Sequence, residues 1–534
     1  MRLPRRLQWT AYAIPALACL AGCVTHAPNT DPQPLIDVPP AYTQQSTGAP
    51  VQGPWWTELQ DDELSALIES ALANNFTLAQ GLIRVELAQA FVKQARAQRL
   101  PQIGFDADVE RRWEKLLNPD TSDEPTKLDE LEALVNQMAA SAEDATALLE
   151  GGEAATGASQ NIAENLLALG STDDAGEDER FDYDSLETEF NSGIGFRWEL
   201  DLWGRLKSLA RARREELAAL TLEYDALRLV LSAQVADTYY QAVEQRMQHK
   251  LLLEQRDLAK TLLDLLELRF LQGDASVVDV LQQRDQLAEI DTEIPVVLSR
   301  VGVQENRMDV LLGVPPDGKD RTALDESLFP DSAALPPVGV PLALLQNRPD
   351  LKSLQRLAVA ADHEIAAAIA ERLPQVTLSG SFAFGDVAGE SRLSGSGAAA
   401  LLQPLVDWGL RKAAVDAARA NWQELLLAYT GAYLVAIEEV ENSLWQEARQ
   451  RERIDALAKR EEILRRTVEE ARIRYGLGVT DYLPVLTALQ DLQDVQRELI
   501  LERRFLVSLR IALYRAIGSP TRTPESMANT EAQS

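Results

Sequence analysis

Two cysteines and three histidines are the chain's whole supply of thiol and imidazole groups, and spacing gives a chemistry to only one of them. Cys23 closes the sequence Leu20-Ala21-Gly22-Cys23, behind a mostly apolar stretch over 7–18 that follows Arg2, Arg5 and Arg6. That order reads as a signal peptide, too short in its apolar part to remain as a span. Its end resembles the lipobox at which bacterial signal peptidase II cleaves, so residues 1–22 are expected to leave and Cys23 to be acylated on its thiol and amine. Cys19 falls inside the removed peptide, which leaves no internal disulfide to form. Val24 follows Cys23 where an Asp would be associated with inner-membrane retention, so the outer membrane is the expected destination. His26, His249 and His363 are scattered and read as incidental polar residues. No Walker loop, HExxH or GxSxG is present, and Gly395-Ser396-Gly397 falls in a candidate strand. The expectation is no catalytic residue, no metal site, no cofactor and no enzyme.

Charge narrows the partners. A net charge of -31 and a pI near 4.6 argue against nucleic acid, whose phosphates would be repelled. Residues 23–54 hold the acylated Cys and seven prolines and read as an extended strap that tethers the body to a lipid.

The remainder is built twice. Leu72, Asn74, Leu78, Leu100-Pro101-Gln102 and Ile103 recur at one constant offset as Leu345, Asn347, Leu351, Leu373-Pro374-Gln375 and Val376. Further on a second, smaller offset holds: Trp203-Gly204 becomes Trp408-Gly409, Arg269-Phe270 becomes Arg474-Tyr475, Gly273 becomes Gly478, and Gly313 becomes Gly518. The first repeat, 55–330, therefore carries an insertion of about 68 residues that the second, 331–520, lacks. Composition places it at 113–180, where 17 acidic residues meet three basic ones, and it reads as a solvated loop with short helices near 128–150 and 160–169. Residues 521–534 read as a disordered tail.

Around the insertion the pattern alternates. Ile103, Phe105, Ala107 and Val109 oppose Asp106, Asp108 and Glu110; Phe190, Ile194, Phe196, Trp198 and Leu200 oppose Glu189, Asn191, Arg197 and Glu199. The second repeat alternates over 376–384, and a weaker Gly/Ser/Ala strand covers 393–402. These are four strands of about 8 to 12 residues, each with an apolar and a polar face, the length of a tilted membrane strand. A small soluble sheet packed on a core is the alternative. Between the strands, 205–272 runs without Gly or Pro, on the order of 100 Å as one helix. Leu220 and Leu227, then Leu251, Leu258 and Leu265 with Leu262 between them, suggest a coiled-coil seam there. Further helices are expected over 274–294, 432–475 and 485–517, with Pro295, Gly302 and Pro484 as breaks. Membrane strands joined to helices far too long for a bilayer require the helices to stand in an aqueous space, the periplasm. The polar strand faces, with Asp106, Asp108, Glu110, Arg197 and Glu199, would then line a wet lumen. Trp198, Trp203 and Trp408 fall at strand-to-helix junctions, where an interfacial aromatic belt is expected.

Trp55-Trp56 with Leu59, the run from Glu199 to Arg205, Asn347-Arg348-Pro349-Asp350-Leu351 and Arg474-Tyr475 with Gly478 resemble the lipoprotein branch of the TolC outer-membrane efflux proteins over about 55–520. The resemblance implies a mixed, mainly α fold. A homotrimer would form a 12-stranded outer-membrane β-barrel on a periplasmic α-barrel of long coiled-coil helices. Its partners would be a membrane-fusion adaptor, an inner-membrane pump of the RND or ABC type, and outer-membrane lipids. Each repeat turns at a glycine, Gly273 or Gly478, and such hairpin tips are where the helical barrel must narrow. The family's gate, a Leu followed one turn later by an Asp, aligns with Leu483 and Thr487. With that Asp absent, Leu483 would seal the passage and Asp481 and Asp279 would supply its charge. A lipid-anchored periplasmic scaffold and a surface-binding lipoprotein are the other readings, and they leave the two-faced strands without a role.

Overall fold

A computed structural model describes residues 26–43, 53–114, 185–322, 329, 335–336, 338–387 and 390–521. Cys23, most of the 113–180 segment and the tail beyond 521 lie outside the described residues. A 3-10 turn at Trp55–Leu59 opens the first repeat, followed by α1 (Asp62–Asn74), α2 (Phe76–Ala97), β1 (Gln102–Glu114), β2 (Ser185–Leu200), α3 (Arg205–Gln272) and α4 (Val277–Leu311). The second repeat gives α5 (Pro341–Asn347), α6 (Pro349–Ala370), β3 (Gln375–Val387), β4 (Glu390–Leu402), α7 (Leu410–Gly476) and α8 (Leu483–Ala516). The two compact units cut across both repeats: one holds the helices, the other most of β1, β2, β3 and β4.

α3 spans the whole Gly- and Pro-free stretch. It starts after Gly204 and stops at Gly273, both left-handed (φ +76° and +82°). At its end Gly273 N–H donates to Phe270 O and Asp274 N–H to Arg269 O, at 3.0 and 2.9 Å. Gly478 and Val479 repeat the pattern on Tyr475 O and Arg474 O, both at 3.0 Å. This is the Schellman closure, which satisfies carbonyls the helix would leave open.

Two expectations for the helices need correction. Pro295 and Gly302 do not break the chain, since α4 runs through both. Ile290 and Val297, one heptad apart across Pro295, are both buried against Leu252 and Ala259. Packing on each side of the proline outweighs its cost of roughly 3 kcal/mol. The seam on α3 is also one residue further along than Leu251, Leu258 and Leu265. Leu252, Gln255, Ala259, Leu262 and Leu266 are the buried heptad positions, while Leu258 and Leu265 stay exposed. α7 likewise begins well before 432.

Two cores form, and α8 of the second repeat enters both. Trp55, Ile68, Tyr239, Tyr240 and Met308 centre the first, where Trp55 stacks on Tyr514 at 5.4 Å and donates through Nε1 to Ser232 Oγ at 3.0 Å. Leu344, Leu351, Tyr429, Tyr433 and Leu513 centre the second, joined by Tyr42 from the strap. The repeats also lock their ends alike. Asn75 Nδ2 donates to Leu311 O at 2.9 Å. Arg348, the repeat equivalent of Asn75, donates through Nη1 to Ala516 O, the equivalent of Leu311 O, at 3.1 Å.

The strands form one sheet in the order β1-β2-β3-β4. They run 13 to 16 residues, longer than the alternation alone suggested. β1 and β2 pair antiparallel from Gln102↔Arg197 to Glu114↔Ser185, so Trp113 and Glu114 belong to β1 and not to the inserted segment.

Candidate functional site

In the sheet unit the register keeps the faces separate. Ile103 pairs with Phe196, Phe105 with Ile194 and Val109 with Phe190, while Asp108 pairs with Asn191 and Glu110 with Glu189. On the second hairpin Ser381 and Ser396 hydroxyls meet at 2.8 Å. Phe196 lies over Gly380, and Phe382 over Gly395, so small residues make room for rings on the apolar side. Among the described residues nothing covers that side: Ile103 and Phe105 are 75% and 73% exposed, and Ile194, Phe382 and Leu393 are exposed as well. A soluble sheet would bury such a face on its own core; this one leaves a continuous apolar surface for an apolar solvent. Of the residues expected to face a lumen, Asp106, Asp108, Glu110 and Arg197 lie along the polar strand positions. Glu199, at the strand's end, is instead bound to Arg205 at 2.7 Å.

In the helical unit the two tips meet. Arg269 lies over the Tyr475 ring, 4.6 Å from its centroid, and Tyr475 packs edge-on against Tyr482 at 5.3 Å. The buried Tyr482 hydroxyl donates to Gln283 Oε1 at 2.6 Å, and Gln283 Nε2 donates to Ala259 O at 2.9 Å. Burial, then the charges of Tyr475 and Asp279, push the Tyr482 phenol up, so it remains a donor. The sequence displayed Arg269 and Tyr475 as members of equivalent tips but gave no sign that they touch.

The expected gate residues fall as follows. Leu483 is 53% exposed, and Thr487 is exposed one turn later on the same face of α8. Asp481 is exposed at the tip. Asp279 has a structural task besides its charge: it closes a capping box with Ser276, accepting from Ser276 N–H at 3.0 Å while its own N–H donates to Ser276 Oγ at 3.2 Å.

His26 is not incidental. Its Nε2 meets Asp362 Oδ1 at 2.5 Å, and Asn29 N–H donates to Asp362 Oδ2 at 2.6 Å, fixing the strap on α6. Leu35 N–H then donates to Thr430 Oγ1 on α7 at 3.2 Å, and Thr43 N–H to Glu441 at 2.7 Å. Among the described residues there is no cluster of His, Cys, Asp or Glu suited to a metal ion, and no helix is long and apolar enough to cross a membrane.

Comparison with known proteins fits this geometry. The model of the family described as "Outer membrane efflux protein" matches residues 67–314 and 340–519. The pyoverdine export outer membrane protein OpmQ of Pseudomonas putida is 27% identical over 98% of this chain and 100% of its own length. Nodulation protein T of Rhizobium leguminosarum bv. trifolii is 24% identical over 96% and 98%. In structure, the outer membrane channel CmeC of Campylobacter jejuni superposes with a TM-score of 0.72 at 18% identity, covering 96% of this chain and 98% of that one.

Proposed function

This chain belongs to the outer membrane efflux protein family, and from that premise we propose that three copies close their sheets into one 12-stranded barrel, the exit duct of a tripartite efflux or secretion system. The observation that carries this reading is the uncovered apolar face of the four-stranded sheet. Four strands leave two open edges, whose backbone groups have no partner in hydrocarbon, so other copies must complete the ring. Two copies would give eight strands and an interior that side chains fill, whereas three leave a lumen. The long helices continue the passage through the periplasm, and the polar strand positions Asp106, Asp108, Glu110 and Arg197 line its outer part. A lipid on Cys23 tethers the strap, which the His26–Asp362 contact docks on α6. A periplasmic adaptor and an inner-membrane pump of the RND or ABC type meet the tips at Gly273 and Gly478. Leu483 narrows the passage there by apolar contact, with Asp481 and Asp279 setting a cation-attracting field. The exported cargo is a small molecule, in keeping with a relative named for pyoverdine export. A scaffold or a surface-binding lipoprotein would leave the apolar sheet face in water.

Native mass spectrometry of the detergent-purified protein tests the assembly. The expected species is a trimer that conducts ions in planar bilayers, and a stable monomer or dimer would overturn the proposal.

A further inference from the structure

The strand-adjacent starts of α3 and α7 carry a net positive charge, opposite to that of the whole chain. The first ten residues of α3 hold Arg205, Lys207, Arg211, Arg213 and Arg214 and no carboxylate, in a protein whose net charge is -31. Arg205 is bound to Glu199, and Arg213 to Glu216, but Lys207, Arg211 and Arg214 follow one another at helical spacing along an exposed stripe. The second repeat keeps two of these three. Lys412 and Arg419 on α7 are the repeat equivalents of Lys207 and Arg214, while Asp416 replaces Arg211. A third cation also recurs: Arg99 and Arg372 each precede the Leu-Pro-Gln that leads into β1 and β3. Each repeat thus sets an exposed Arg, Lys and Arg near its strands. Helix electrostatics does not explain Lys207 and Lys412, since cations in the first turns of α3 and α7 oppose the helix macrodipole, nor Arg214 and Arg419, which lie beyond its reach; only Arg99 and Arg372, just past the C-termini of α2 and α6, complement it.

Beside these cations the chain exposes apolar groups that none of its described residues cover. Between β4 and α7, Leu405 is 90% exposed and Trp408 97%, the latter held at φ +53° next to Gly409, and Val406 and Leu410 are exposed with them. In the first repeat Leu100, ahead of β1, and Leu202, between β2 and α3, are exposed, while Trp203, the equivalent of Trp408, is anchored by its Nε1–H to Pro374 O at 2.7 Å. Exposed Leu and Trp beside Lys and Arg is the composition of a membrane interface, and it would be out of place on the wall of an aqueous duct.

We propose that Arg99, Lys207 and Arg214, with their repeat equivalents Arg372, Lys412 and Arg419, form a collar that binds the phosphate headgroups of anionic phospholipids in the leaflet bordering the helices. This rests on the reading of the strands as membrane-spanning. Chain continuity then holds all six cations near the membrane boundary, where Leu405, Val406 and Trp408 enter the acyl region and the cations meet the headgroups. At low ionic strength each cation beside an anionic surface is worth roughly fivefold in affinity. The repeat doubles the trio in one chain, and a trimer would triple it again.

The test compares the full-length wild type with the quadruple variant Lys207→Gln, Arg214→Gln, Lys412→Gln, Arg419→Gln. Arg99 and Arg372 are kept, to leave the strand entries undisturbed. Each protein is reconstituted in nanodiscs of phosphatidylcholine alone or with added phosphatidylglycerol, and thermal unfolding and retained lipid, by mass spectrometry, are recorded. The wild type should melt higher with phosphatidylglycerol and retain it at least tenfold over phosphatidylcholine, with the preference fading in high salt. The variant should melt as the wild type does in pure phosphatidylcholine and lose the preference. Equal preference in both proteins, or none in the wild type, overturns the collar. So does a variant that keeps the lipid preference but alters ion selectivity in planar bilayers, because the cations would then line the lumen. Wild-type conductance in neutral bilayers is measured separately, so failure of the channel reading is distinguishable from failure of the collar.

Discussion

Gly478 and Gly518 share a left-handed backbone, φ +70° and +69°, and differ in what surrounds them. A Cβ at Gly478 would meet nothing within 4 Å; at Gly518 it would stand 2.8 Å from Arg348 Cα and 2.9 Å from both Arg348 N and the Asn347 carbonyl carbon. Alanine at either site costs roughly 1–2 kcal/mol for the left-handed conformation. At Gly518 the backbone where α5 meets α6 must also move, which adds about 1–3 kcal/mol as overpacking. That movement strains Arg348, whose guanidinium holds Ala516 O, Asp350 and Glu439. Gly478→Ala should therefore cost about 1–2 kcal/mol and Gly518→Ala about 2–5 kcal/mol. Gly313 supplies the control from the first repeat, since its Cβ would fall 2.5 Å from Asn74 O at φ +76°. Gly313→Ala should behave like Gly518→Ala. Denaturant unfolding of the purified protein, followed by circular dichroism, measures all three. Equal costs for Gly478→Ala and Gly518→Ala would refute the claim that close backbone approach, and not φ alone, fixes glycine at the repeat ends.

Arg510 and Glu447, only 4% and 1% exposed, pair at 3.0 Å, and Arg451 reaches the same Glu447 oxygen at 3.0 Å. Because Arg451 still faces Glu447, Arg510→Met alone should cost about 1.5–3 kcal/mol, less than a buried charge left alone, and adding Glu447→Gln should recover part of it in the same unfolding assay. His363 is held below its ordinary value of 6.5, first by burial and then by Arg211 and His26, against the opposing pull of Glu215 and Asp362. Below pH 6.5 the unfolded chain thus binds more protons than the native one, so stability should fall as pH drops from 6.5 toward the lowered folded value. His363→Gln should flatten that slope in melting curves recorded between about pH 5 and 8. At the tips, Leu483→Ser should raise resting conductance in planar bilayers, and Asp481→Asn with Asp279→Asn should weaken cation preference. The amide introduced by Asp279→Asn would keep an acceptor for Ser276 N–H, so a change in selectivity would report charge and not helix capping; unchanged currents in both variants would place the constriction elsewhere.

The bounds of α3 were legible because a run free of Gly and Pro, closed at both ends by glycines able to take positive φ, leaves helix little competition. The strand faces were legible for a similar reason, since a period of two survives in single residues. Strand length was not. β1 continues through Arg111-Arg112-Trp113-Glu114 and β2 begins at Ser185, where apolar alternation has faded and the ladder between the strands, not the side chains, sustains extension. The seam on α3 was right at Leu262 and misplaced at Leu258 and Leu265, because leucines were counted as interior. Ala259 is fully buried there, small enough for α4 to approach until Gln283 reaches its carbonyl, and Gln255 occupies another interior position.

What remained hidden is contact between residues far apart in sequence. Asp362 receives His26 from 336 positions away, and Gln283 receives Tyr482 from 199, and neither has a periodicity to reveal it. The tip contacts constrain how the passage proposed at Leu483 would widen. Tyr482 immediately precedes Leu483, and its buried hydroxyl is fixed to α4, while Tyr475 on α7 is held beneath Arg269 of α3. Moving the second tip away from the first would break a cation–π contact and leave a buried phenol without an acceptor, the latter costing roughly 1–3 kcal/mol per chain. Moving both tips together breaks neither. The hairpins of one chain are therefore better suited to shift as a unit against neighbouring copies, with the tip aromatics as the bond between repeats and the glycine turns as the positions where each hairpin folds back.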